Sequence, residues 1–199
     1  MNGWLTPSNN YVFDPQYENM SINYSRSRAF SANFMLQGLD LFKKRLYFTP
    51  GFGITWNNYH FKNNSVNIGT ANDSTRFTID SAIQYNKYKL RTTYIEVPLM
   101  IGARIGNVEK NHFTIEGGVI GGLNISSIVK EKFEVEGIKN KNKVKDDFNI
   151  NPFRLDAVVR MRFSDYFGIY GRYSLTTMFE TDKTQELYPF TIGFVFGGI

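Results

Sequence analysis

The stretch FRLDAVVRMRF, residues 153–163, constrains the chain more than any other. Phe153, Leu155, Ala157, Val159, Met161 and Phe163 alternate with Arg154, Asp156, Val158, Arg160 and Arg162. Successive side chains of an extended strand point to opposite faces, so this order makes one purely apolar face and one mostly ionic face. A helix would scatter the same groups around its circumference. The two-residue period recurs over residues 30–36, 46–56, 93–105, 113–125, 167–179 and 190–196. It predicts seven long strands, with a stub at Asn2–Leu5, and no stretch carries a helical period.

The connections alternate as well. Those at Leu41–Leu46, Gly106–Asn111 and Ser164–Asp165 are short. Those at Thr6–Ser25, Lys62–Tyr88, Lys132–Asn151 and, more moderately, Glu180–Glu186 are longer and rich in Asn, Asp, Ser, Lys and Gly. A transmembrane barrel has this asymmetry, short periplasmic turns at one end and long extracellular loops at the other.

Period two does not say which face is inside. In a soluble barrel the apolar face is the core; in a membrane barrel lipid meets the apolar face and the charges pack within. Three features favour the inverted order. The polar faces mix charges with Gly, Tyr and Met. They carry Glu96 and Glu116 together with Arg104, Arg154, Asp156, Arg160, Arg162 and Arg172, a set able to pair across a lumen. Aromatic residues gather near predicted strand ends (Trp56, Tyr59, Phe113, Phe163, Phe167, Phe179 and Tyr188), as a girdle would. A soluble, lipocalin-like binding barrel with scattered surface arginines is the competing reading. The expected architecture is one all-β domain over residues 1–199, an antiparallel up-and-down transmembrane barrel of eight strands when complete. Only the stub stands for the first strand here, and no signal peptide precedes it, so the expectation is that the amino-terminal part of the barrel is missing from this chain and that the strands near Phe30 and Phe190 flank a partial gap.

Several segments resemble a known family. Tyr94-Ile95-Glu96-Val97-Pro98-Leu99 resembles the Y-[IL]-E-[IV]-P-L segment of the PorT-like outer-membrane β-barrels common in Bacteroidetes. Asn57–Phe61, Asp146–Arg154 and Glu186–Thr191 are similar to further segments of these barrels. The resemblance implies an eight-stranded barrel in the bacterial outer membrane with both termini periplasmic. It implies little about activity. The chain departs from the pattern in its nearly absent first strand and in its end, Phe196-Gly197-Gly198-Ile199, where such barrels usually finish on an aromatic residue.

The chemistry is mostly exclusion. No cysteine is present, which removes disulfides and thiolate metal sites. No run of about 18 apolar residues offers a transmembrane helix. The net charge of +5 is mild and forms no basic block of the kind nucleic acid demands. His60 and His112 fall at opposite strand ends, so a His-Ser-Glu acyl hydrolase site would not converge. The expectation is no catalytic group, no cofactor and no metal. The inward charges Glu96, Arg104, Glu116, Arg154, Asp156, Arg160, Arg162 and Arg172 read as a salt-bridged plug. Lys139, Lys141, Lys143 and Lys145 in a long loop are candidates for contact with lipopolysaccharide phosphates or a partner. The function expected is a small outer-membrane barrel with a closed charged lumen and a structural or interaction role in the envelope, its surroundings outer-membrane lipid and lipopolysaccharide. The alternatives are a component of a secretion or envelope assembly, with other envelope proteins as partners, and a lipid-modifying enzyme.

Overall fold

The computed structural model describes residues 1–10, 15–36, 38–42, 45–63, 65–71, 74–79, 85–106, 112–135, 137–163 and 167–197. In chain order the strands are β1 (Asn2–Leu5), β2 (Arg28–Met35), β3 (Leu39–Phe42), β4 (Leu46–His60), β5 (Val66–Ala71), β6 (Ser74–Ile79), β7 (Tyr85–Gly106), β8 (His112–Val135), β9 (Ile138–Lys145), β10 (Phe153–Phe163), β11 (Phe167–Ser174) and β12 (Tyr188–Phe196). A 3-10 helix spans Pro15–Met20. The main sheet runs β1-β12-β11-β10-β8-β7-β4-β2, every pair antiparallel, with β3 on β4 and β9 on β8; β5 and β6 form a separate hairpin.

The alternation resolves the orientation of the faces. In β10 every apolar position except Val158 is exposed or half-exposed, and every charged position is buried. On β7 the odd residues Ile95, Val97, Leu99 and Ile101 are exposed while Glu96 is fully buried. The apolar face therefore points outward, and over Ile95–Ile105 it spans the 11 or so residues that a tilted strand needs to cross hydrocarbon. Glycine lets large lumen groups fit: the Tyr47 ring lies where a Cβ on Gly102 would stand.

The sheet does not close. β1 hydrogen-bonds only to the upper part of β12, from Asn2 opposite Thr191 to Leu5 opposite Tyr188. Among the described residues no ladder joins β1 or β12 to β2. The stub is tied across the seam by side chains instead. The Tyr24 hydroxyl donates to the Trp4 carbonyl at 3.1 Å, and the Trp4 and Tyr59 rings lie 4.7 Å apart.

Three strand bounds differ from expectation. β7 and β8 extend well past the apolar band, to Tyr85 and Val135, and β5, β6 and β9 occupy stretches expected to be loop. Conversely β11 ends at Ser174. There the Ser174 hydroxyl turns back to the Thr176 carbonyl, and the chain carries Met178 and Phe179 inward. The short connections at Lys43–Lys44, 107–111 and 164–166, and the terminal Gly198 and Ile199, lie outside the described residues.

Candidate functional site

The interior holds two ionic layers. In the upper one the Glu96 carboxylate accepts from Arg154 at 2.8 Å, from Arg172 at 2.7 and 3.0 Å, and from the Thr55 hydroxyl at 2.7 Å. Asp156 pairs with Arg172 and, at 3.1 Å, with Arg154 Nε. Two carboxylates thus face two guanidiniums, and Arg154 also stacks over the Tyr94 ring at 4.1 Å. In the lower layer Glu116 accepts from Arg162 at 2.8 Å, from Arg160 at 3.2 Å and from the Tyr47 hydroxyl at 2.7 Å. Here one carboxylate serves two guanidiniums. Glu96 and Glu116 have no exposed surface. Stripping a charge of water costs several kcal/mol, and only close, multiply hydrogen-bonded partners offset it. That is why each of these two glutamates collects three donor residues.

The strand register builds these layers. Arg160 lies directly opposite Glu116 across the β8–β10 ladder, while Arg154 and Glu96 both face Gly122 from its two sides. Having no side chain, Gly122 leaves the space through which the two meet. Arg104 stands apart from the set with which the sequence groups it. It pairs with Asp40 at 3.2 Å near the short-turn mouth, partly exposed, and lies 4.2 Å from the Tyr47 ring. The donors Tyr47 and Thr55 are missed by reasoning from charged residues alone, and Asp40 is missed because it lies on β3, a strand the two-residue period does not mark. Tyr47 and Thr55 fall on the polar face of β4, a signal that only the register can interpret.

Above these layers the interior changes character. Trp4, Tyr59, Phe61, Tyr88, Phe148 and Phe179 belong to one buried apolar cluster, into which Phe77 of the β5–β6 hairpin also packs. Tyr59 and Phe179, expected in a lipid-facing girdle, are here instead, each 1% exposed. Both sit beyond the apolar band, where the exterior is water and aromatic rings are best buried inside. Phe113, Phe163, Phe167 and Tyr188 do lie at strand ends on the outer surface, while Trp56, stacked on Phe30 at 5.7 Å, lies four residues inside β4 at the top of the apolar band. The space against the upper layer that Asn57, Tyr59, Arg154, Asp156 and Arg172 help to line is about 10 Å³. That is room for about one water molecule.

His60 and the backbone of His112 fall at opposite ends of β7, opposite Lys89 and Gly106 respectively. Lys139, Lys141, Lys143 and Lys145 lie exposed along β9, the outermost strand of an extension shared with β7 and β8.

No curated protein and no solved structure matches this chain. The family model of an outer membrane protein beta-barrel domain matches residues 6–198, nearly the whole length. An all-β antiparallel sheet, apolar without and ionic within, agrees with that match, and the chain belongs to the outer membrane protein beta-barrel domain family.

Proposed function

We propose that this small outer-membrane protein is a non-conducting barrel whose role is structural or interactive, rather than a pore or an enzyme. The observation that carries the reading is the filled interior: two ionic layers at membrane level and an aromatic cluster above them leave about 10 Å³ beside the upper layer. An eight-strand barrel is only wide enough for its own side chains. The test is reconstitution in planar bilayers and in sugar-loaded liposomes. No channel steps and no sugar release are expected; steady ohmic steps would overturn the reading. Incubation with labelled phospholipid and glycolipid should give no turnover, and acyl release that tracks the folded protein would overturn the non-enzymatic part.

A second reading, a component of a secretion or envelope assembly of the PorT-like kind, is supported by one feature. β2 and the lower half of β12 present hydrogen-bonding edges with no strand partner among the described residues. Such edges invite strand addition. Photo-crosslinking from Asn33 and Gly193 in native membranes tests it: a specific adduct with another envelope protein supports the assembly, and labelling of lipid alone removes it.

A further inference from the structure

Apart from the buried Thr93, β7 holds one parity from Lys87 to Ile105. Its odd residues face outward from Ile105 up to Lys87, but their chemistry changes at Thr93: below it they are aliphatic, above it come Arg91, Lys89 and Lys87. The neighbouring strands change in step. One cross-strand row reads His60, Lys89, Lys130, Lys143 across β4, β7, β8 and β9, and the next reads Lys87, Lys132, Lys141 across β7, β8 and β9. Like charges directly opposite each other destabilise a ladder, and these rows repeat that juxtaposition at every lysine–lysine step across β7, β8 and β9. Among the described residues none of these cations forms an ion pair. Lys89 and Arg91 instead share one neutral acceptor, Asn58 Oδ1, at 2.7 and 3.1 Å. Glu131 points to the opposite face and is 8% exposed. On the cationic face of this hairpin, Glu134 lies at the tip, opposite Lys139.

Height matters as much as charge. Arg91 lies four residues above Ile95, roughly 13 Å along the strand and about 9 Å along the membrane normal for a tilt near 45°. That is headgroup level. Beside the rows a groove of about 390 Å³ opens between β2, β4 and β7, lined by Arg26, Arg28, His60 and Lys87. It is large enough for a phosphorylated sugar.

We propose that this outward basic face and its groove bind the phosphate groups of the anionic glycolipid that surrounds the barrel in the outer leaflet. The lysines of β9 are the rim of this site; its centre is the Lys89–Lys130–Lys143 row. The occupant is a membrane lipid rather than a soluble anion, because the cations form a belt directly above lipid-facing aliphatic residues. The Lys89–Lys130–Lys143 row crosses three strands, about 10 Å, so its cations are spread widely enough to meet more than one phosphate. At its edge, burial first and then the nearby Lys89, Lys87, Arg26 and Arg28 hold His60 well below its ordinary value, at about 4. The inference rests on the long loops lying at the cell surface, and it is independent of whether the lumen conducts.

The test uses the full chain folded in zwitterionic micelles. A bis-phosphorylated diglucosamine lipid and its dephosphorylated counterpart are titrated, with inorganic pyrophosphate and a heparin fragment as soluble probes. Removing three cations near a lipid surface is expected to weaken binding by about tenfold to a hundredfold. The K89Q/K130Q/K143Q variant should show this loss toward the phosphorylated lipid, while R45Q at the opposite end should not. Binding by the parent should fall with salt. Should the triple variant lose heat-modifiable migration, K130Q alone serves, with an expected loss of about fivefold. Equal affinity for phosphorylated and dephosphorylated lipid overturns the proposal, as does unchanged binding by a folded variant. Pyrophosphate or heparin binding as tightly as the lipid would reassign the face to soluble anions or acidic polymers. Channel steps in the bilayer test would leave this result untouched.

Discussion

The membrane-level barrel and the loop-side cap solve the same problem with opposite materials. Below Thr93 the sheet is aliphatic outside and ionic inside; above it, β7 presents Lys87, Lys89 and Arg91 outside and Tyr88 and Leu90 inside. The strand runs on through this level, and a bulge that leaves Ile125 of β8 without a partner between Thr93 and Tyr94 marks the change. Only the surroundings differ. In lipid, burying a leucine inside gains nothing, because acyl chains are as apolar as the core they would replace. Cohesion there comes from Glu96, Glu116 and their arginines. In water the ordinary hydrophobic effect returns, and Trp4, Tyr59 and Phe179 form the core.

The largest way to break this contrast is to remove a lumen carboxylate. Glu96→Ala leaves Arg154 and Arg172 buried around a missing charge, with Asp156 alone to serve both. A loss of about 3–5 kcal/mol is expected, read from urea unfolding in micelles. A loss below about 1 kcal/mol would mean that water reaches the layer. Truncation inside the cap comes next. Leu90 is fully buried and Leu99, nine residues along the same strand, faces lipid. Leu90→Ala should cost about 3 kcal/mol, whereas Leu99→Ala should cost less than about 1 because acyl chains refill the gap. Equal costs would erase the distinction between the two regions. A charge placed on the outer face separates them more finely. Ile101→Arg, in the middle of the apolar band, should cost about 2 kcal/mol or more. Lys141→Leu, on the exposed β9 rim, should stay within about 0.5 kcal/mol. Comparable effects would place β9 in contact with hydrocarbon.

The period-two pattern alone carried the architecture, because register and burial leave a direct mark at every second residue. Arg154, Asp156, Arg160 and Arg162 share one face of β10 whatever their neighbours do. What each meets depends on the stagger between strands, which no single strand encodes. Arg104 looked equivalent to the other arginines and instead meets Asp40 at the mouth. The cap was less legible for a different reason. Its core joins inward residues of β4, β7 and β8 to residues of β1, the 3-10 helix, β5 and the segments after β9 and β11, so no single period announces it. Tyr59 and Phe179 consequently read as girdle residues. The basic face was half visible: the lysines of β9 stand out in the sequence, while Lys87, Lys89, Lys130 and Lys132 join them only once β7 and β8 are seen to continue past the membrane.

The smallest effect concerns the outer face of the cap without its anions. Burial, then Arg91, Lys87, Lys130 and Lys132, push the Lys89 ammonium down to about 8 from its ordinary 10.5. A folded value below the unfolded one means that the fold disfavours the charged form. The penalty is fully present below about pH 8 and is relieved as pH rises from there toward 10.5. Lys89→Gln should therefore stabilise the micelle-folded protein at pH 6.5 and low salt, by at most about 1 kcal/mol because the group is substantially exposed and screened. The gain should shrink at pH 9 and vanish near pH 10.5. It should also fall on adding salt, which screens the neighbouring cations. Melting temperatures of the parent and the variant across that range are the measurement. A difference that ignores both pH and salt would trace to the lost bond from Lys89 to Asn58 rather than to crowded charge, and the outer face would then carry no electrostatic stress for an anion to relieve.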